Sequence, residues 1–290
     1  MIFALICLSL VAISHCGPSP VLRWDYSELN GPKTWAKTFT FYCGGKRQSP
    51  IDINTKSVMK MTNQKPLLVN TKPLIINATL INTGALLVMD VKHKEETPTI
   101  KGGGLPSAYK LTKMTFNWGK TNKKGSEHLI DGKASALEMK LVFVKGEHKS
   151  KKEALADPTG LAIVSILWDV MSHNDELENI IKMVNKVRFQ GESTIVPSIN
   201  LGKLMPDLNN FYRYKGSIPV PPCTENVAWT IPTKKMYLSA KQLNTLRGIY
   251  SSPKDSKKML QMFGNVREPQ DLNNRPVYLY AYTPEVKSSP

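Results

Sequence analysis

The sequence predicts a mainly β (α+β) fold built on one large sheet, and three observations carry that prediction. Six segments, 78–91, 111–118, 137–144, 161–167, 227–231 and 277–282, are rich in β-branched or aromatic residues and bounded by Gly, Pro, Asn or Lys. Only two segments read as helices. Residues 20–283 contain no fixed-period repeat, low-complexity block or linker-like shift, so the strands belong to one domain.

Taken in order, the first strand-like stretch, 78–91, carries Asn82-Thr83-Gly84-Ala85 within it. Gly102-Gly103-Gly104 marks a permissive turn before the 111–118 strand. The first helix, about 174–186, places Leu177, Ile180, Ile181 and Val184 on one face. Pro219-Val220-Pro221-Pro222 cannot lie in a central strand and is expected as a loop. The second helix opens at Ser239 with a Ser-x-x-Gln capping box, in which the two side chains satisfy free amides of the first turn. At 290 residues and 41% hydrophobic content the chain can bury one sizeable core.

Residues 1–16 hold an apolar run, Ile2 to Ile13, followed by small residues, the layout of a secretory signal peptide without its usual leading cation. Cleavage after Ser14 or after Cys16 fits the small residues, and only the second removes Cys16; it leaves Cys43 and Cys223, an even pair in an oxidising compartment, read as one disulfide with two buried free thiols as the alternative. Closing a loop of roughly 180 residues is credited with somewhat more than ~4 kcal/mol by the loop-entropy argument, as an upper figure. The domain is expected over 17–283 with a polar tail at 284–290, and no later stretch approaches the ~20 apolar residues of a membrane span. A soluble, secreted protein is expected, in which Asn77-Ala78-Thr79 becomes a glycosylation sequon at Asn77. The net charge of +16 makes acidic partners plausible. Lysines gather at 92–94, 120–124, 145–152, 234–235 and 254–258, several of them in expected loops.

Several segments, in order, carry a family resemblance: Gln48-Ser49-Pro50-Ile51-Asp52-Ile53, Gly103-Gly104-Leu105 before Tyr109, Phe116-Asn117-Trp118-Gly119, Gly125-Ser126-Glu127-His128-Leu129-Ile130-Asp131, Tyr214-Lys215-Gly216-Ser217, and Pro221-Pro222-Cys223-Thr224-Glu225 leading to Trp229. The chain resembles the alpha-class carbonic anhydrases from about Trp24 to Tyr282. The resemblance implies a twisted, mostly antiparallel central sheet with short peripheral helices. It also implies a disulfide at the places of Cys43 and Cys223.

That family hydrates carbon dioxide on a zinc ion held by three neutral imidazoles. The positions matching those histidines hold Thr115, Asn117 and Lys140. Threonine and asparagine are poor zinc ligands and an ammonium has no free lone pair, so no zinc or other cofactor is expected. The position of the hydroxide-orienting threonine is Pro219, without hydroxyl or N–H, and that of the proton shuttle is Ala85. The supporting carboxylates, Glu127 and Glu138, are retained. Glu138 and Lys140, two apart on one strand, share a face, so the ammonium is expected to pair with Glu138 or Glu127; the alternative is that it snorkels to water.

His93, His128, His148 and His173 lack metal-binding spacing, and His128 is expected in the core. There is no Gly-x-Ser-x-Gly elbow, phosphate loop or catalytic-looking cysteine. The sequence therefore points to a secreted pseudoenzyme that binds a sulfated glycan, matrix protein or other acidic extracellular partner through basic patches, unless the lysines serve solubility alone. Two alternatives are a zinc-dependent carbonate dehydratase with a degenerate or unforeseen metal site, and small-anion binding in a cavity lined by Thr115, Asn117, Lys140, Val142, Ile163 and Trp229. Neither a membrane span nor nucleic-acid binding is expected.

Overall fold

Alternating apolar residues in Leu137-Glu138-Met139-Lys140-Leu141-Val142-Phe143 make a strand with two unlike faces, and this strand, Leu137–Lys145, lies in the middle of the sheet. In a computed structural model the described residues are 24–62, 65–91, 97–148 and 150–282, with Lys151 described by its backbone alone. The expected signal peptide (1–16), the tail (284–290) and Lys92, His93 and Lys94 lie outside them.

Thirteen strands form one large sheet. Its main path runs from Ser193–Ile199 through Ile75–Asn82, Leu87–Asp90, Tyr109–Trp118, Leu137–Lys145, Leu161–Val170, Val227–Pro232, Asn210–Gly216 and Tyr278–Ala281 to Met59–Met61. Pairing within it is antiparallel except where Leu161–Val170 meets Val227–Pro232 and Met236–Leu238, and where Tyr278–Ala281 meets Met59–Met61. The mainly β fold with short helices expected from the sequence is what the chain adopts.

Leu137, Met139, Leu141 and Phe143 enter one core layer with Met114, Phe116, Val164, Ile166 and Trp168, all at most 1% exposed. Each such side chain contributes about 1.5–3 kcal/mol by leaving water. Asp175–Val184 closes this layer with Leu177, Ile180, Ile181 and Val184. The helix Ala240–Arg247 carries the expected capping box between Ser239 and Gln242, and Gln242 Nε2 also donates to Asn174 O at 2.8 Å, tying the helix starts together. The opposite face carries a second layer with Ile163, Tyr214, Trp229 and Ile231.

The 78–91 stretch is two strands rather than one. Gly84 turns the chain at φ +86°, and Asn82 Oδ1 accepts from its N–H at 2.8 Å. Asn77 is exposed on the outer of the two strands, in the left-handed region at φ 53°. Cys43 and Cys223 form a disulfide with Cα atoms 4.9 Å apart, packed on Trp35. Among the described residues no helix is long and apolar enough to cross a membrane.

Candidate functional site

The second face of the sheet forms the floor of a cleft of about 1110 Å3. Strand register sets out the floor in rows: Glu138 lies opposite Asn117, Lys140 opposite Thr115, and Val142 opposite Lys113. On the other side of Leu137–Lys145, Ser165 lies opposite Lys140 and Ile163 opposite Val142. Residues directly opposed in an antiparallel pair share a face, so Thr115, Asn117 and Lys140 come together on the floor.

Lys140 is 2% exposed. Its Nζ lies 2.7 Å from Glu127 Oε2 and 3.4 Å from Glu138 Oε1, and donates to Asn117 Oδ1 at 2.5 Å. It pairs with both carboxylates and does not snorkel. Burial pushes its pKa down, but Glu127 and Glu138 outweigh burial and hold it above the ordinary lysine range.

The two carboxylates differ. Glu138 accepts from the backbone N–H groups of Glu127 and His128 at 2.7 and 2.9 Å and from the Ser165 hydroxyl at 2.7 Å. It also faces His128 Nδ1 at 2.9 Å. Burial raises its pKa, yet Lys140 and His128 prevail and keep it well below the usual carboxylate range. Glu127 has fewer donors, the Arg267 N–H at 2.8 Å and Lys140, and burial wins there: its pKa is raised.

His128 is fully buried, with Nε2 2.7 Å from the Tyr214 hydroxyl, which donates to Ser49 Oγ at 2.9 Å. Asn117 Nδ2 donates to Asn265 O, and Asn265 in turn accepts from Trp118 N at 2.9 Å. The segment around Asn265 and Arg267 is thereby stapled to the end of the Tyr109–Trp118 strand. These polar contacts explain why a polar face can be buried at all: each group has partners other than water.

Pro219 is buried and lines the cleft, as do Ile163 and Val142. Trp229, expected in the lining, is not part of it. Its ring stacks on Tyr214 and lies 4.6 Å from the His128 ring, and its Nε1 donates to Ser217 O, which fixes it behind the wall. Ala85 is half-buried in the turn, while its neighbours Thr83 and Leu86 reach the cleft.

Of the basic clusters noted in the sequence, Lys145 lines the cleft, but its Nζ is 3.1 Å from Asp157, which His148 also contacts. Lys234 pairs with Asp207 at 3.2 Å and Lys235 with Asp169 at 2.8 Å. Sequence reasoning missed Lys72, Lys110 and Lys113, which line the cleft. A β-bulge between Leu111 and Lys113 explains the omission: plain alternation sends residues 110 and 113 to opposite faces, whereas the extra residue turns both inward.

A family profile described as eukaryotic-type carbonic anhydrase matches residues 30–281. This chain belongs to that carbonic anhydrase family. Similar relatives include mouse carbonic anhydrase 1, 32% identical over 255 residues covering 88% of this chain and 97% of the relative. Human carbonic anhydrase 3 is 28% identical over the same shares. Against the family's zinc, the donor set here does not fit. Thr115, Asn117 and Lys140 offer a hydroxyl, an amide and an ammonium, and the ammonium is already held between carboxylates. Among the described residues no group of three or more His, Cys, Asp or Glu side chains is arranged to hold a metal.

Proposed function

We propose that this chain is a secreted, catalytically inactive carbonic anhydrase family member that binds acidic extracellular partners. The observation that carries the loss of catalysis is the Lys140 ammonium 2.7 Å from Glu127 at a former ligand position. A fixed cation there repels a metal dication and leaves no lone pair to bind one. Pro219 supplies no hydroxyl to orient a nucleophile. Secretion is supported by the apolar N-terminal run and the Cys43–Cys223 disulfide. Acidic partners, sulfated glycans or matrix proteins among them, are supported by the net charge of +16.

The test is zinc content by elemental analysis after dialysis against zinc, with carbon dioxide hydration assayed on the same sample. Zinc far below one per chain and hydration at the uncatalysed rate are expected. Stoichiometric zinc with activity overturns the reading in favour of a carbonate dehydratase. The partner class is checked by heparin retention, expected to fall steeply with salt.

A further inference from the structure

The cleft is divided lengthwise by chemistry, and the register shows how. Going outward from Lys140, one row reads Ile163, Val142, Lys113 and the next Leu161, Val144, Lys110. Each row begins with two apolar residues on neighbouring strands and ends in a lysine. The bulge after Leu111 is what places both lysines on the cleft side.

These lysines differ in state from Lys140. Lys110 is exposed and Lys113 half-buried, and neither has an ion-pair partner among the described residues. Asp90 stands opposite Lys113 across the sheet without coming within ion-pair distance, and it does not line the cleft. Lys72 adds a further cation to the lining. Among the described residues Glu127 is the one carboxylate in the lining, and Lys140 answers it.

We propose that the cleft binds an organic anion with an apolar body, a carboxylate or sulfate on an alkyl or ring system. Its head lies between Lys110 and Lys113, and its body lies along Val142, Val144, Leu161 and Ile163. The cleft, at about 1110 Å3, is slightly larger than the about 300–1,000 Å3 of pockets for small organic molecules and so has room for a ligand of this kind. A small inorganic anion leaves the apolar wall unused, and an alcohol leaves the lysines unused. Lys140 takes no part, because Glu127, Glu138 and Asn117 already hold it. The inference goes beyond acidic-partner binding and does not rest on the metal-free reading, since Lys110, Lys113 and the apolar rows lie outward of the floor around Lys140.

The experiment is calorimetric titration of the full mature chain with sodium decanoate below its micelle concentration, in the presence of EDTA. Hexanoate, 1-decanol and sodium sulfate are run alongside. One saturable decanoate site is expected, tightening by about four-fold per methylene from hexanoate upward. The Lys110→Met/Lys113→Met double variant is expected to bind on the order of ten-fold more weakly, with Lys110→Arg/Lys113→Arg close to wild type. Circular dichroism of each variant verifies the fold. No saturable decanoate binding, equal binding of decanoate and decanol, or binding indifferent to the double substitution overturns the inference. Decanoate binding that persists in EDTA while the untreated protein carries stoichiometric zinc sinks the metal-free reading and leaves this inference standing.

Discussion

The deep floor and the outer floor of the cleft hold charges under opposite conditions. Lys140, Glu127 and Glu138 are at most 2% exposed and locked to one another, whereas Lys110 and Lys113 retain contact with water and meet no carboxylate among the described residues. Desolvation makes the difference. A buried charge without a partner costs several kcal/mol, so the deep residues exist only as a set, while a half-exposed cation is solvated and free to meet a ligand. The first arrangement holds structure and the second can bind.

The sharpest way to break this contrast is Lys140→Met, which strands two buried carboxylates. A loss of about 3–5 kcal/mol in denaturant unfolding at neutral pH is expected, and a stability gain argues against a useful pair. Because Lys140 titrates higher in the fold than in the unfolded chain, its contribution is complete below about pH 10.4 and is lost as pH rises through the folded value. The stability curve of the wild type should therefore fall on the alkaline side, and that of Lys140→Met should fall less over the same range.

Next in size is Glu138→Gln, expected to cost about 2–3 kcal/mol, because it weakens several charge-assisted hydrogen bonds at once. Glu127→Gln should cost clearly less, about 1 kcal/mol, since Glu127 has fewer donors to lose, the Arg267 N–H and Lys140. If the two cost the same, the asymmetry drawn from their hydrogen bonds is wrong. The smallest effect belongs to the outer floor: Lys113→Met should change unfolding stability by under about 0.5 kcal/mol. A larger loss there shows that Lys113 is structural and erases the distinction between the two regions.

Much of the site was readable from residue order alone. Thr115, Asn117 and Lys140 converge because two-residue periodicity and family spacing both place them there, and the capping box at Ser239 forms because it is local chemistry. Three features were not readable. The turn at Gly84 splits what looked like one strand, the bulge beside Lys113 reverses a face, and Trp229 turns its ring to His128 instead of the cleft. Each depends on which partner a strand or ring meets, and that is not encoded within the segment itself.

By itself the sequence determined the family and the mainly β fold, because these are matters of residue type and spacing. Tertiary structure alone decided what the polar residues of the central strand do. Leu137-Glu138-Met139-Lys140-Leu141 alternates like a strand with one wet face. The segment carrying Asn265 and Arg267 and the chain around His128 cover that face, and they bring the donors and opposite charges without which it could not leave water.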